Sequence, residues 1–173
     1  EGRNLDEVAG LVAGEGLDPE AFLEAARDPS PVRDLDPAAV DLEGYLFPDT
    51  YDVPQSPEAP RALVRRMAQR FREVIAPELD RIAEKGLTVR QVVTLASIVE
   101  LETARAAERP RIAAVFLNRL ERGMPLQTDP SIIYALKKAG RWDGNIRRRD
   151  LEIDSPYNTY RRPGLPPGPL GSP

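Results

Sequence analysis

The sequence predicts a mainly α-helical protein that ends in an irregular, Pro- and Gly-rich loop region. Three observations carry this. Asn4-Leu5-Asp6-Glu7 and Thr88-Val89-Arg90-Gln91 are both capping boxes, a polar N-cap with Glu or Gln three residues on. Behind them, apolar residues recur three and four apart, the spacing of one helix face. The stretch from Asp154, DSPYNTYRRPGLPPGPLGSP, is too dense in proline and glycine to continue as a helix. The length of 173 residues, with 41% apolar, suits one domain or one domain with a small appendage.

Composition removes several function classes. A formal charge of -4 argues against a dedicated nucleic-acid binder. The chain has no Cys and no His, which excludes thiol catalysis, Ser-His-Asp triads and the usual zinc sites. Neither metal nor cofactor is expected, and acid–base chemistry falls to Asp, Glu, Tyr or Lys. The longest apolar run, Val92 to Val99, is far short of the roughly 20 residues that span a bilayer. No signal peptide is visible. The chain opens on Glu1-Gly2-Arg3 without Met, which reads as a piece of a longer protein.

In chain order, Leu5, Val8, Leu11 and Val12 follow helical spacing up to a stop at Gly14 and Gly16. Asp18-Pro19 starts a second helix, with Phe22 and Leu23 as its apolar contacts. Residues 28–36 read as a Pro-rich loop. The run LEGYLFPDTY, from Leu42 to Tyr51, packs three aromatics between Gly and Pro breaks. Two readings stand for it: a loop that anchors the core, or an edge whose aromatic faces stack on sugar rings. Ser56-Pro57-Glu58 opens a long helix with Leu63, Met67, Phe71 and Val74 along one side. Arg65, Arg66, Arg70 and Arg72 read as its solvated face. Pro77 breaks it, and Leu79 and Ile82 continue to a stop at Gly86.

The central stretch begins at Thr88. Val92, Leu95, Ala96 and Val99 are the expected buried stripe, Glu102 continues that stripe, and Glu100 falls on the opposite flank. Both carboxylates lie in the last turn, where unpaired carbonyls act like about half a negative charge. That field and partial burial disfavour the anion and raise a carboxyl pKa, as a general acid requires. An ordinary helix end with exposed glutamates fits the same residues. Glu108 to Arg122 forms the next helix, with Ile112, Val115, Phe116 and Leu120 inward. Met124 to Thr128 is a loop. Asp129-Pro130 caps a further helix through Ile132, Ile133 and Leu136, ending near Gly140. Arg147 to Arg149 reads as a solvated run. Tyr157, Asn158 and Tyr160 cluster in the tail loop, a composition that suits sugar hydroxyls and also plain turns.

Four segments in order, LEGYLFPDTY, ASIVELET, ERPRIAAVFLNRLERGMPLQTDPSIIYAL and DSPYNTYRRPGLPPGPLGSP, resemble the YceG-like (MltG) family of endolytic murein transglycosylases. The resemblance covers most of the chain from Leu42 onward. It implies a lysozyme-like helical catalytic domain over 42–173, preceded by a small helical subdomain or remnant over 1–41. It also implies lytic cleavage of the MurNAc–GlcNAc bond within peptidoglycan glycan strands, leaving 1,6-anhydro-MurNAc ends. Family members carry an N-terminal membrane anchor, with the catalytic part on the extracytoplasmic side of the cytoplasmic membrane. Their implied partners are the cell-wall synthesis machinery. The family continues beyond the position of Pro173 into a segment with a His and strand-like sequence, so this chain is expected to be truncated there.

The family's I-x-E-x-E-T pattern places the catalytic role on Glu102, with Thr103 behind it and Glu100 in support. The residue between the glutamates is Leu101 here, where the family commonly has Lys. Gln127, Tyr157, Asn158 and Tyr160 are the candidates for holding the sugar and its N-acetyl group. A lytic reaction needs one carboxylate, whereas a hydrolase wants two at a set separation. Other classes remain in view: a peptidoglycan-binding fragment without catalysis, a helical scaffold module, or a muramidase-type hydrolase.

Overall fold

A computed structural model describes residues 1–53 and 56–173, and its architecture is mainly helical. The helices in order are α1 (Leu5–Gly14), α2 (Pro19–Ala26), α3 (Ala59–Ile75), α4 (Leu79–Glu84), α5 (Val89–Glu102), α6 (Arg109–Glu121) and α7 (Asp129–Lys138). Both capping boxes form. Asn4 accepts from Glu7 N at 2.9 Å and Thr88 accepts from Gln91 N at 3.2 Å. Pro77 lies in a short 3-10 segment that separates α3 from α4. A 3-10 turn at Arg148–Glu152 occupies part of the stretch read as a solvated Arg run. From residue 153 on, the described chain makes turns and bends and a lone antiparallel bridge between Arg3 and Ser172.

Two apolar clusters form the core. The first joins Val12, Phe22, Leu42, Leu46, Val64 and Phe71 to the start of α5 at Val89 and Val93. The second gathers Ile98, Val99, Phe116, Leu126, Tyr134 and Leu170. The first cluster runs across position 41 without a break, since Phe22 and Val32 share it with Leu42 and Tyr45. Helix α5 is the element common to both, its first half in one cluster and its second half in the other.

The burial of α5 differs from the stripe expected of it. The deeply buried positions are Val93, Thr94, Ser97, Ile98 and Val99, while Val92, Leu95 and Ala96 are only partly covered. The reason is the tail. It crosses α5 over the small polar side chains, and Leu170 N donates to Ser97 Oγ at 3.0 Å. Small polar residues with a hydrogen-bond partner can be buried where a hydropathy pattern marks them as solvent-facing. Glu102 therefore continues the Thr94–Ile98 line at four-residue spacing, and Glu100 belongs to the side of Val92 and Ala96. Two further expectations fail in the same way: Leu11 and Val115 are largely exposed, at 54% and 49%.

The LEGYLFPDTY run anchors the core. Leu42, Tyr45 and Leu46 are buried, and Tyr45 packs edge-on against Phe71. Below it a buried polar knot ties three segments together. Tyr45 Oη and Arg90 Nη1 both donate to Asp36 Oδ2 at 2.6 Å, and Arg90 Nε donates to Pro167 O at 2.7 Å. The tail is thus fastened to α5 at two points, Arg90 and Ser97, which fixes where its tyrosines fall.

Candidate active site

Glu102 is the last residue of α5, and Thr103 follows in extended conformation. The Thr103 hydroxyl is not aimed back at Glu102. It donates to Glu108 Oε2 at 2.9 Å and accepts from Arg105 N at 3.0 Å, shaping the entry to α6. The Glu102 side chain as a whole is open to solvent, yet protein packed on its inner side raises its carboxyl pKa by desolvation. The negative charge of Asp129 raises it further, and the Thr128 hydroxyl acts weakly the other way.

The opposing wall comes from two strands of irregular chain lashed together. Gln127 N donates to Thr159 O, and Thr128 N to Thr159 Oγ1, both at 3.1 Å. Ser131 Oγ and Thr159 Oγ1 are 2.8 Å apart. Thr128, Ser131 and Thr159 are all buried, and these bonds tie the start of α7 to the tail loop. Arg119, from α6, donates to the carbonyls of Pro125 at 3.2 Å and Leu126 at 2.6 Å and holds the incoming loop. Gln127 is the one non-glycine residue with positive φ among those described, at 54°. A left-handed residue of this kind costs roughly 1–2 kcal/mol, which the surrounding bonds hold in place. The turn leaves Gln127 exposed and Thr128 buried.

Tyr160 stands on this wall. Its hydroxyl donates to Asp129 Oδ1 at 2.6 Å. Burial, that bond, and the charges of Asp129 and Glu102 push its pKa up to about 12, so it remains a donor at any working pH. The Thr128 hydroxyl oxygen is buried and has no hydrogen-bond partner. Its influence on Glu102 comes from proximity, short of a formed hydrogen bond.

The structure thus brings together Glu102, Tyr160 and the loop that carries Gln127. It sends the other candidates elsewhere. Asn158 is fully buried. Its amide donates at 2.9 Å to Leu151 O and Ile153 O, and its oxygen accepts from Tyr160 N, so it builds the loop and presents nothing to a ligand. Tyr157 packs its ring, tilted by 50°, against Tyr134 with ring centres 4.7 Å apart. Glu100 is held by Arg109 Nη2 at 2.7 Å. It lines an apolar cavity of about 550 Å³ between α4, α5 and α6, together with Val92, Leu95 and Ala96. Glu102 does not border that cavity. Among the described residues no group of three or more Asp, Glu, His or Cys could hold a metal ion. Sequence reasoning left Arg119 open between solvent and a cleft and did not single out Thr128, Asp129 or Thr159 as parts of the site. Thr128 adjoins Gln127 and Asp129 follows it closely, but Thr128 read as the end of a loop and Asp129 as a helix cap.

Glu102, partly desolvated at a helix end near Asp129 and Tyr160, is thus a candidate for acid–base chemistry. A profile of the YceG-like family matches residues 1–173, and the chain belongs to that family. The endolytic murein transglycosylase of Bacillus subtilis (strain 168) is 34% identical over 187 residues, covering 99% of this chain and 51% of that protein. The one of Streptococcus pneumoniae serotype 2 (strain D39) is 39% identical over 200 residues, covering 100% of this chain and 35% of that protein. A crystal structure of a YceG-like protein from Listeria monocytogenes superposes with a TM-score of 0.84 at 34% identity, over 99% of this chain and 61% of that one. The chain spans about half or less of the length of the curated relatives it matches.

Proposed function

We propose that this chain is the catalytic part of an endolytic murein transglycosylase, with Glu102 as its acid and base. The observation that carries the reading is the Glu102 carboxyl at the end of α5, its pKa raised by burial of its inner side and by the charge of Asp129 while the residue stays exposed. The relatives' names supply the substrate class, peptidoglycan. On this reading the domain is lysozyme-like, residues 42–173 form the catalytic unit and residues 1–41 the region that precedes it. The longer protein is anchored in the cytoplasmic membrane and works on its extracytoplasmic side beside the cell-wall synthesis machinery. No helix among the described residues is long and apolar enough to cross a membrane.

Glu102 gives its proton to the oxygen that links MurNAc C1 to the next GlcNAc. The C1–O bond breaks with its electron pair going to that oxygen, which leaves as an alcohol. The C6 hydroxyl of the same MurNAc attacks C1 and passes its proton to the Glu102 carboxylate, which regenerates the acid. No water enters, so a second catalytic carboxylate is unnecessary. This agrees with Glu100 being engaged by Arg109 on another flank. On this reading Gln127, which is exposed, and the partly exposed Tyr160 hold the sugar. Asn158 and Tyr157 set the loop that carries Tyr160.

The test is digestion of glycan strands in water enriched in heavy oxygen, followed by mass spectrometry. The new ends should be 1,6-anhydro-MurNAc without the label. Labelled reducing ends would show a hydrolase and overturn the lytic step.

A further inference from the structure

We propose that Gly2, Arg3 and Asn4 are positioning residues for the reaction: paired with the tail and seated against the end of α5, they hold its last turn, and with it Glu102, in place. The inference rests on Glu102 being the catalytic acid. These residues lie before residue 42 and act on the catalytic unit from there.

The last turn of α5 needs such support. The final carbonyls of a helix have no partners within it, and the N–H of a cap residue commonly takes one of them. The other six helices end this way, with the cap N–H bonded back into the last turn. Helix α5 does not. Thr103, its C-cap, is extended, and no such bond closes the helix among the described residues. An end of that kind frays unless something packs on it.

What packs on it is the segment that leads into α1. Gly2 N donates to Ser172 O at 2.7 Å and Ser172 N to Arg3 O at 2.9 Å, where Arg3 and Ser172 form the antiparallel bridge. Gly171 lets the two backbones close, since a Cβ there would lie 2.8 Å from Arg3 O. Gly2 also meets α5. Its φ is 67°, and the position a Cβ would take is 3.4 Å from Leu101 Cδ2 and 3.9 Å from Glu100 Cγ, the two residues before Glu102. Gly2, Asn4, Leu101, Pro130, Ile133 and Leu170 close round a hollow of only about 70 Å³. The segment is itself held. Asn4 is buried in its capping box, Leu5 N donates to Glu43 Oε1 at 3.1 Å, and Lys137 Nζ of α7 donates to Glu7 Oε1 at 2.6 Å. The end of α5 is therefore clamped between residues 2–4, the tail and α7. A shift of about 1 Å at a catalytic group can cost about 10² in rate.

Gly171→Ala tests this, because its methyl group forces Arg3 away from Ser172. Amide hydrogen exchange of the whole chain should speed up about tenfold or more at Ser172, Leu101 and Glu102, with the amides of α3 unchanged. The kcat for cutting glycan strands should fall about tenfold or more, with KM within about twofold of wild type. Gly171→Val, with a larger group, replaces this variant if Ser172 keeps its protection. Lys137→Met, which releases α1 from α7, should shift both readouts the same way, and Lys137→Arg should restore them. That pair also serves if the Gly171 variants do not fold. Phe22→Leu, which weakens the first apolar cluster, should leave kcat and the end of α5 unchanged. Unchanged exchange at Leu101 and Glu102 once Ser172 has lost its protection, or faster exchange there with kcat intact, overturns the inference and leaves Glu102 as the acid. Cutting by a folded Glu102→Gln protein would remove the catalytic assignment instead, and the exchange result would stand.

Discussion

Burial raises the carboxyl pKa of both Glu102 and Glu43, in two different settings. Glu43 is 7% exposed and lies between the first turn of α1 and Tyr134 of α7. Leu5 N donates to its Oε1 at 3.1 Å and Tyr134 Oη to its Oε2 at 3.3 Å. Burial outweighs those bonds and pushes its pKa up to about 7. Its neutral form is the one that fits the fold. It contributes stability below the ordinary carboxylate range, and that contribution is lost as pH rises through about 7. Glu43→Gln should remove this dependence. The wild type should lose stability relative to the variant between about pH 5 and about pH 8, by on the order of 3 kcal/mol at most. Urea unfolding at the two pH values measures it, and equal losses in both proteins would show that Glu43 does not titrate there. Nothing in the sequence distinguishes Glu43 from an exposed acid, because its burial depends on elements up to ninety residues away. Glu102 was legible through its place at the end of an apolar helix and its family pattern. Asp129, whose charge raises its pKa, was not, since a helix-capping Asp looks the same whether or not another acid lies near it.

At the level of elements, the helices follow from local signals: two capping boxes, the Pro77 break, and apolar spacing on α3. What local signals misread was which face of α5 is buried. The tail decides that, through Ser97 and Arg90, and a segment without regular structure leaves no periodicity to read. Gly44 shows how closely the tail is fitted. Its φ is 82°, and a Cβ there would meet Pro169 Cγ at 2.6 Å and Val93 Cγ1 at 3.2 Å. Pro169 is a ring that cannot turn aside. Gly44→Ala should therefore cost about 3 kcal/mol or more, from the left-handed backbone and the clash together. A urea midpoint within about 0.5 kcal/mol of wild type would show that the tail can lift away without loss.

At the scale of the whole molecule, α5 runs through both apolar clusters and delivers Glu102 at its far end. The first cluster fixes where the helix starts, and the second fixes α6 and α7 around its finish. The tail brings Tyr160 to the same place before it crosses the helix at Pro167 and Leu170. The mainly helical class and the four ordered segments could be read from the chain. The wall opposite Glu102 could not, because Thr128, Ser131 and Thr159 meet only through the fold. The measurement closest to the central claim is the rate at which Glu102→Gln cuts glycan strands, set beside wild type, with folding checked by circular dichroism. A general acid is worth about 10²–10⁴ in rate, so the folded variant should release new chain ends at least about a hundredfold more slowly. Cutting at the wild-type rate by a folded Glu102→Gln protein would contradict the account.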